Sequence, residues 1–124
     1  MKEYQFPYEK LDVWQDARTL VKNIYAITKG FPREEKFGIV NQVNRSAVSV
    51  ASNLAEGSGR TSLKDQAHFS QMAYGSLMEL SCQLTLAADL GMLSKDDFIK
   101  RKPELLGLAN KLNALRKSQL ARVG

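Results

Sequence analysis

Arg45-Ser46-Ala47-Val48-Ser49-Val50-Ala51-Ser52-Asn53-Leu54-Ala55-Glu56-Gly57 carries two helical stripes at once. With the residues just upstream, Val40, Val43, Ala47, Val50, Ala51 and Leu54 recur three or four positions apart, the spacing of a core-facing helix side. Gln42, Arg45, Ser49, Ser52, Asn53 and Glu56 recur at the same spacing on another side. An open helix face favours Lys, Glu and Gln, because Ser and Asn offer the backbone competing hydrogen bonds. Small hydroxyls and an amide, flanked by one Arg and one Glu, therefore predict packing against a further surface at close range. Either a neighbouring helix of the chain or another subunit can supply it.

Outward from this stretch, punctuation divides the chain into four helical segments, over about residues 8–28, 33–56, 63–90 and 95–120. The first places Leu11, Trp14, Ala17, Val21, Ile24 and Tyr25 on one side and stops at Gly30-Phe31-Pro32. The second opens with Glu34 and Glu35, where the helix dipole favours negative charge. The third begins with Ser62-Leu63-Lys64-Asp65, a variant capping box, and carries Phe69, Ala73, Leu77, Leu80, Leu84 and Ala87 as its apolar stripe. Beside that stripe runs a polar band of Ser76, Glu79 and Gln83. The fourth opens at Ser94, continues through Leu105, Leu108, Leu112 and Leu115, and contains Pro103, which predicts a kink or a fresh helical start. Gly75 and Gly107 fall inside helices and predict close helix approaches, since each costs about 1 kcal/mol relative to Ala. No strand pattern competes. The expected fold is all-α, an antiparallel up-down-up-down four-helix bundle in a single domain spanning residues 1–124.

Composition narrows the function classes. A chain of 124 residues, 44% hydrophobic, can bury a core without disulfides or metal. No apolar run reaches the roughly 20 residues of a membrane span, and the N-terminus lacks a signal-peptide pattern, so a soluble cytoplasmic protein is expected. The net charge of +5 is uneven: residues 1–99 balance at −1, whereas residues 100–124 hold +6. A basic end on a neutral body is the pattern of a protein that meets a polyanion, and equally of an ordinary solvated helix end.

The Arg45–Gly57 run resembles the signature of a small bacterial four-helix-bundle family often encoded in intervening sequences of 23S ribosomal RNA genes. Leu11-Asp12-Val13-Trp14-Gln15 and Phe31-Pro32, followed by Gly38 and Gln42, are similar to that family's first two blocks. Gly75-Ser76-Leu77-Met78-Glu79-Leu80 with Gln83-Leu84 is similar to its third, so the resemblance covers about residues 6–117. Leu54, Ala51 and Pro103 depart from the family pattern. The resemblance implies a left-handed antiparallel bundle that assembles as a ring-shaped homopentamer. It extends to the accessory protein of diversity-generating retroelements, a basic pentamer that works with nucleic acid and a reverse transcriptase. In this setting Gln42, Arg45, Ser49, Asn53, Glu56, Gly57, Ser76, Glu79 and Gln83 are motif residues of packing or interface, and Arg45 is expected to pair with Glu79, Glu56 or a carboxylate of the next subunit.

An enzyme is not expected. His68, the only imidazole, reads as a helix-surface histidine, and Cys82 as a small buried hydrophobe. Glu56 and Glu79 suit an ion pair with Arg45 better than acid/base work. Gly57-Ser58-Gly59-Arg60 lacks the preceding strand of a phosphate loop, and Glu9, Asp12 and Asp16 are too dispersed for a metal. No cofactor, small-molecule substrate or membrane partner is indicated. Binding fares better. Lys111, Ser118 and Arg122 fall on one side of the fourth helix with Lys117 at the flank, Arg116 on the apolar side, and Lys100, Arg101 and Lys102 near its start. Phosphate contacts need only such cations on a rigid scaffold, and no aromatic residues interleave with them for base stacking. The expected partners are further copies of the chain and RNA, or an RNA-bound protein. The alternative is a protein–protein adaptor that binds no nucleic acid.

Overall fold

The computed structural model describes residues 4–123. Its helices are α1 (Asp12–Thr28), α2 (Ile39–Ser58), α3 (Leu63–Asp89) and α4 (Lys95–Ala121), and no strand occurs among the described residues. Short connections join them, and α3 lies centrally, packed broadly on α2 and α4. The seam between α1 and α4 is much looser. Leu20, Ile24, Val43, Val50, Leu77, Leu80, Leu84 and Leu112 are fully buried, each helix contributing to one core.

Two helix starts differ from the spacing. Residues Pro7–Lys10 form a 3₁₀ turn, and α1 begins at Asp12. Pro7 brings no N–H, and the Glu9 carboxylate accepts from the Phe6 N–H at 2.9 Å, which closes a tight turn before extended Leu11. Glu34 and Glu35 sit in a second 3₁₀ turn, Arg33–Glu35, and so cap no α-helix; α2 waits until Gly38, at φ −106° and ψ −115°, has redirected the chain. The buried side of α1 is Val13, Ala17, Leu20, Ile24 and Thr28, whereas Trp14 and Val21 lie at its margin and Tyr25 is exposed.

The other ends follow their caps. Ser62 and Ser94 side chains accept the N–H groups of Asp65 and Asp97 at 3.0 and 3.1 Å. Helix α3 ends in a Schellman motif: Gly91, at φ +77°, lets Met92 N–H reach the Ala87 carbonyl at 2.9 Å while its own N–H reaches Ala88. Pro103 starts no new helix. Helix α4 runs through it, because the carbonyl it strands belongs to Ile99, a 64% exposed residue on the solvent side.

Close approach occurs at a different glycine from those expected. A Cβ at Gly75 or Gly107 would meet nothing within 4 Å, whereas one at Gly57 would lie 2.7 Å from the Phe69 Cβ. The end of α2 and the start of α3 therefore touch across a gap that only glycine leaves open. Gly57→Ala should destabilise the chain by about 1–3 kcal/mol, since a Cβ so near a neighbour's backbone forces the helices apart. Gly107→Ala should stabilise it by about 1 kcal/mol. Urea unfolding of the two variants measures both, and a stabilised Gly57→Ala would contradict the packing described.

Candidate nucleic-acid interface

The seven basic side chains of residues 100–124, on α4 and at its C-terminal end, fall into distinct environments. Lys111 Nζ donates to Asp16 Oδ2 on α1, and this hydrogen bond, with the charge behind it, raises the Lys111 pKa above its ordinary 10.5. A raised lysine pKa gives a contribution complete below the ordinary value and lost only as pH climbs past the folded one, so the pair is intact at neutral pH. Arg101 Nη1 lies 3.5 Å from Glu104 Oε1, and Glu104 also accepts from Asn23 Nδ2 on α1 at 2.8 Å. Lys111 and Glu104 thus tie α4 to α1, and Arg101 is engaged by Glu104 within α4. Lys100, Lys102, Lys117 and Arg122 are exposed and have no carboxylate within 4.0 Å among the described residues, and Arg116 is half-buried beside the apolar stripe. Helical spacing places Lys111 and Arg122 on the flank toward α1, and Lys102 and Lys117 on the other flank. The basic residues flank α4 rather than forming one strip.

The polar stripe of α2 divides as well. Its inner part packs on α3: Ser49 Oγ and Ser76 Oγ are 2.8 Å apart, and Asn53 Nδ2 donates to the Ser49 carbonyl at 2.9 Å and its hydroxyl at 3.1 Å. The neighbouring helix of the same chain is thus one surface that the small residues meet. Its outer part is open. Gln42, Arg45 and Glu79 are exposed around a groove of about 330 Å³ that Asn41, Ser46 and Ser49 complete. Arg45 has no carboxylate within 4.0 Å among the described residues, so neither Glu79 nor Glu56 is its partner within the chain. Glu56 pairs instead with Arg60, one turn on, at 2.9 Å. Gln83 Nε2 donates to Glu79 Oε1 at 3.3 Å, while Gln83 Oε1 is buried without a partner.

Ser70 and Gln119 were not singled out by the sequence pattern. Ser70 Oγ donates to Gln119 Oε1 at 2.7 Å, both residues buried, and links α3 to the end of α4. The signal was present: Gln119 continues the Leu105–Leu108–Leu112 spacing of a core face. Cys82 is exposed, contrary to expectation, because it lies on the outward side of α3 with Gly75, seven residues before it, and Leu86, four residues after it. His68 is also exposed, edge-on to Phe69. Among the described residues, no three His, Cys, Asp or Glu side chains converge as metal ligands, and no helix is long and apolar enough to cross a membrane.

A family model described as 23S rRNA-intervening sequence protein matches residues 9–114. The crystal structure of a protein of unknown function from the S23 ribosomal protein family of Bacteroides thetaiotaomicron is similar in fold, with a TM-score of 0.61 at 16% identity. The alignment covers 90% of this chain and 97% of that one. No curated protein matches the chain.

Removing the Ser70 hydroxyl leaves the Gln119 amide oxygen buried without a donor, which costs about 1–3 kcal/mol. Ser70→Ala should lower stability by that amount in denaturant titrations. Ser70→Ala with Gln119→Leu should recover most of it. Failure of the double variant to recover would mean that the pair does more than satisfy its own polar atoms.

Proposed function

The chain belongs to the 23S rRNA-intervening sequence protein family, and on that footing we propose a non-enzymatic cytoplasmic bundle that associates with copies of itself and contacts RNA, or an RNA-bound protein, through its basic end. The contact is made by α4. The observation that carries this reading is the charge of +6 in residues 100–124 beside a body near neutrality, with Lys100, Lys102, Lys117 and Arg122 exposed and free of carboxylates within 4.0 Å among the described residues. Names support it too: the family takes its name from ribosomal RNA, and the Bacteroides protein is assigned to a ribosomal protein family, so ribosomal RNA is the first candidate ligand.

Self-association, as a ring-shaped homopentamer, is supported by what α2 and α3 leave unmatched. Arg45 and Glu79 carry opposite charges in one groove without pairing to each other. A neighbouring copy can supply a carboxylate to the first and a cation to the second. A ring of five would carry roughly +25, and many weak phosphate contacts then act together. The alternative adaptor reading is favoured by Met78 and Leu86 on α3 and Leu90 at its C-terminal cap, 40%, 50% and 67% exposed.

Assembly is tested first. Light scattering at micromolar concentration should report an oligomer. Arg45→Ala should shift chain stability by less than about 1 kcal/mol, as for an exposed charge, while weakening association. A stable monomeric parent would end the assembly reading. For RNA, affinity should fall with salt by about 0.7–0.9 log units per log unit of salt for each phosphate neutralised, with little dependence on base sequence. Lys117→Glu with Arg122→Glu should abolish binding and leave the bundle folded. Asp16→Asn, which releases Lys111, should steepen the salt slope by about one phosphate. If the double variant binds as the parent does at matched salt, the adaptor reading moves ahead.

A further inference from the structure

The sequence pattern places no aromatic residues among the cations of α4, but the fold gathers them on α1. Phe6 and Tyr8 lie ring on ring, their centroids 5.8 Å apart and their planes within 4°. Tyr8 in turn meets Trp14, centroid to centroid at 4.7 Å. The Arg18 guanidinium sits over the Trp14 ring at 5.8 Å. Four side chains from a turn and a helix thus make one continuous ladder of contacts ending in a cation, the Phe6–Tyr8 step parallel and the Tyr8–Trp14 step tilted by 58°.

Only part of the ladder serves the core. Trp14 packs at the margin of the buried cluster and Tyr8 is half-buried, but Phe6 is 65% exposed. Even so, Phe6 is held. Its N–H is bound by Glu9 at 2.9 Å, Pro7 follows it, and Gln15 Nε2 clamps the Glu9 carbonyl at 3.0 Å. An aromatic face presented to solvent on a hydrogen-bonded turn gives up little freedom when something stacks on it.

Cations continue the line along α1. Trp14, Arg18, Lys22, Tyr25 and Lys29 follow one another at helical spacing; Arg18, Lys22 and Lys29 are exposed and Tyr25 is 44% exposed. They fall within about 80° of one another on the helix wheel over about 22 Å of its length. The carboxylates of α1, Asp12 and Asp16, lie more than 100° or so from the middle of that strip, and Asp16 is turned toward Lys111. No acidic side chain of α1 interrupts it.

Alternating π faces and cations on a rigid element are the chemistry of a surface for unpaired bases: stacking holds the bases whatever their identity, and the cations follow the backbone. A duplex offers its phosphates but not its base faces. We propose that the Phe6–Tyr8–Trp14–Arg18 ladder, continued by Lys22, Tyr25 and Lys29, is a binding surface for single-stranded nucleic acid. It shares with the α4 reading the premise that the protein meets nucleic acid, but it names a different ligand, unpaired strand, and a different helix.

Trp14 is the chain's only tryptophan, so its emission reports on this surface alone. Titration of the full chain with oligo-uridylate RNA or oligo-thymidylate DNA should quench it, and a blunt RNA duplex of equal length should not. Phe6→Ala should weaken single-strand binding about 5- to 150-fold, the loss of one base–aromatic stack. Phe6→Leu, which keeps the bulk without the π face, should lose nearly as much, and Phe6→Trp should restore it. Lys117→Glu with Arg122→Glu should leave the quenching in place. Parent emission unmoved by single strands would overturn the proposal, as would a Phe6→Ala chain that binds them like the parent or one whose sedimentation changes because the patch covers another copy. If quenching is absent but the α4 double variant alone loses RNA in an anisotropy assay, this surface fails and the α4 reading stands. If quenching persists and the α4 variant binds RNA unchanged, the reverse holds.

Discussion

The contact between α2 and α3 is the constraint that the rest of the bundle accommodates. Phe69 Cβ occupies the space that a side chain at position 57 would need. About two turns away, two serine hydroxyls meet at 2.8 Å. Side chains longer than Ser, Ala or Gly along this line would separate the helices and pull Val43, Val50, Leu77 and Leu84 out of register. Small residues are poor helix formers, so the chain accepts weaker local propensity on α2 in exchange for a close interhelical fit. Helix α4 then packs on the opposite side of α3, and α1 covers the remaining face.

The helix count, the apolar stripes of α2, α3 and α4, and the serine caps were legible because each rests on local spacing or a single side chain. The starts of α1 and α2 were not. They depend on 3₁₀ turns closed by contacts such as Glu9 to Phe6, which no periodicity encodes. Tyr25 sits within a turn of Val21 and Ile24, yet burial on α1 centres on Ala17, Leu20 and Ile24 and leaves Tyr25 outside it. The α2 stripe was read correctly as a packing face, but the partner of each residue could not be inferred: Ser49 finds α3, whereas Arg45 finds nothing within the chain. Charge spacing on α4 gave the cations but not their company, because Asp16 stands 95 positions away from Lys111. The aromatic ladder was hidden for a different reason: its residues are close in sequence but are brought together by a turn rather than by helix spacing.

Polar groups in this bundle therefore divide by whether the chain itself satisfies them. Ser70 with Gln119, Thr28 with Asn44 and Asn23 with Glu104 are closed pairs between helices. They fix which helix faces which without needing anything further. Arg45 and the outward cations of α1 and α4 are open. The two groups occupy different surfaces, the first at helix–helix contacts and the second at the outer α2–α3 groove and on the flanks.

The looseness of the α1–α4 seam has a bearing on how the bundle forms. Its cross-helix hydrogen bonds join residues 81 and 95 positions apart, so closing it pins nearly the whole chain, while the α2–α3 and α3–α4 hairpins close over short loops. Loop-closure entropy makes such a contact late in folding. During synthesis α1 emerges well before its seam partner α4. The growing chain must hold α1 against α2 alone, with the α4-facing side of α1 uncovered, until α4 has been made. In the finished protein the same seam is where amide hydrogens should exchange first, because few buried contacts guard it.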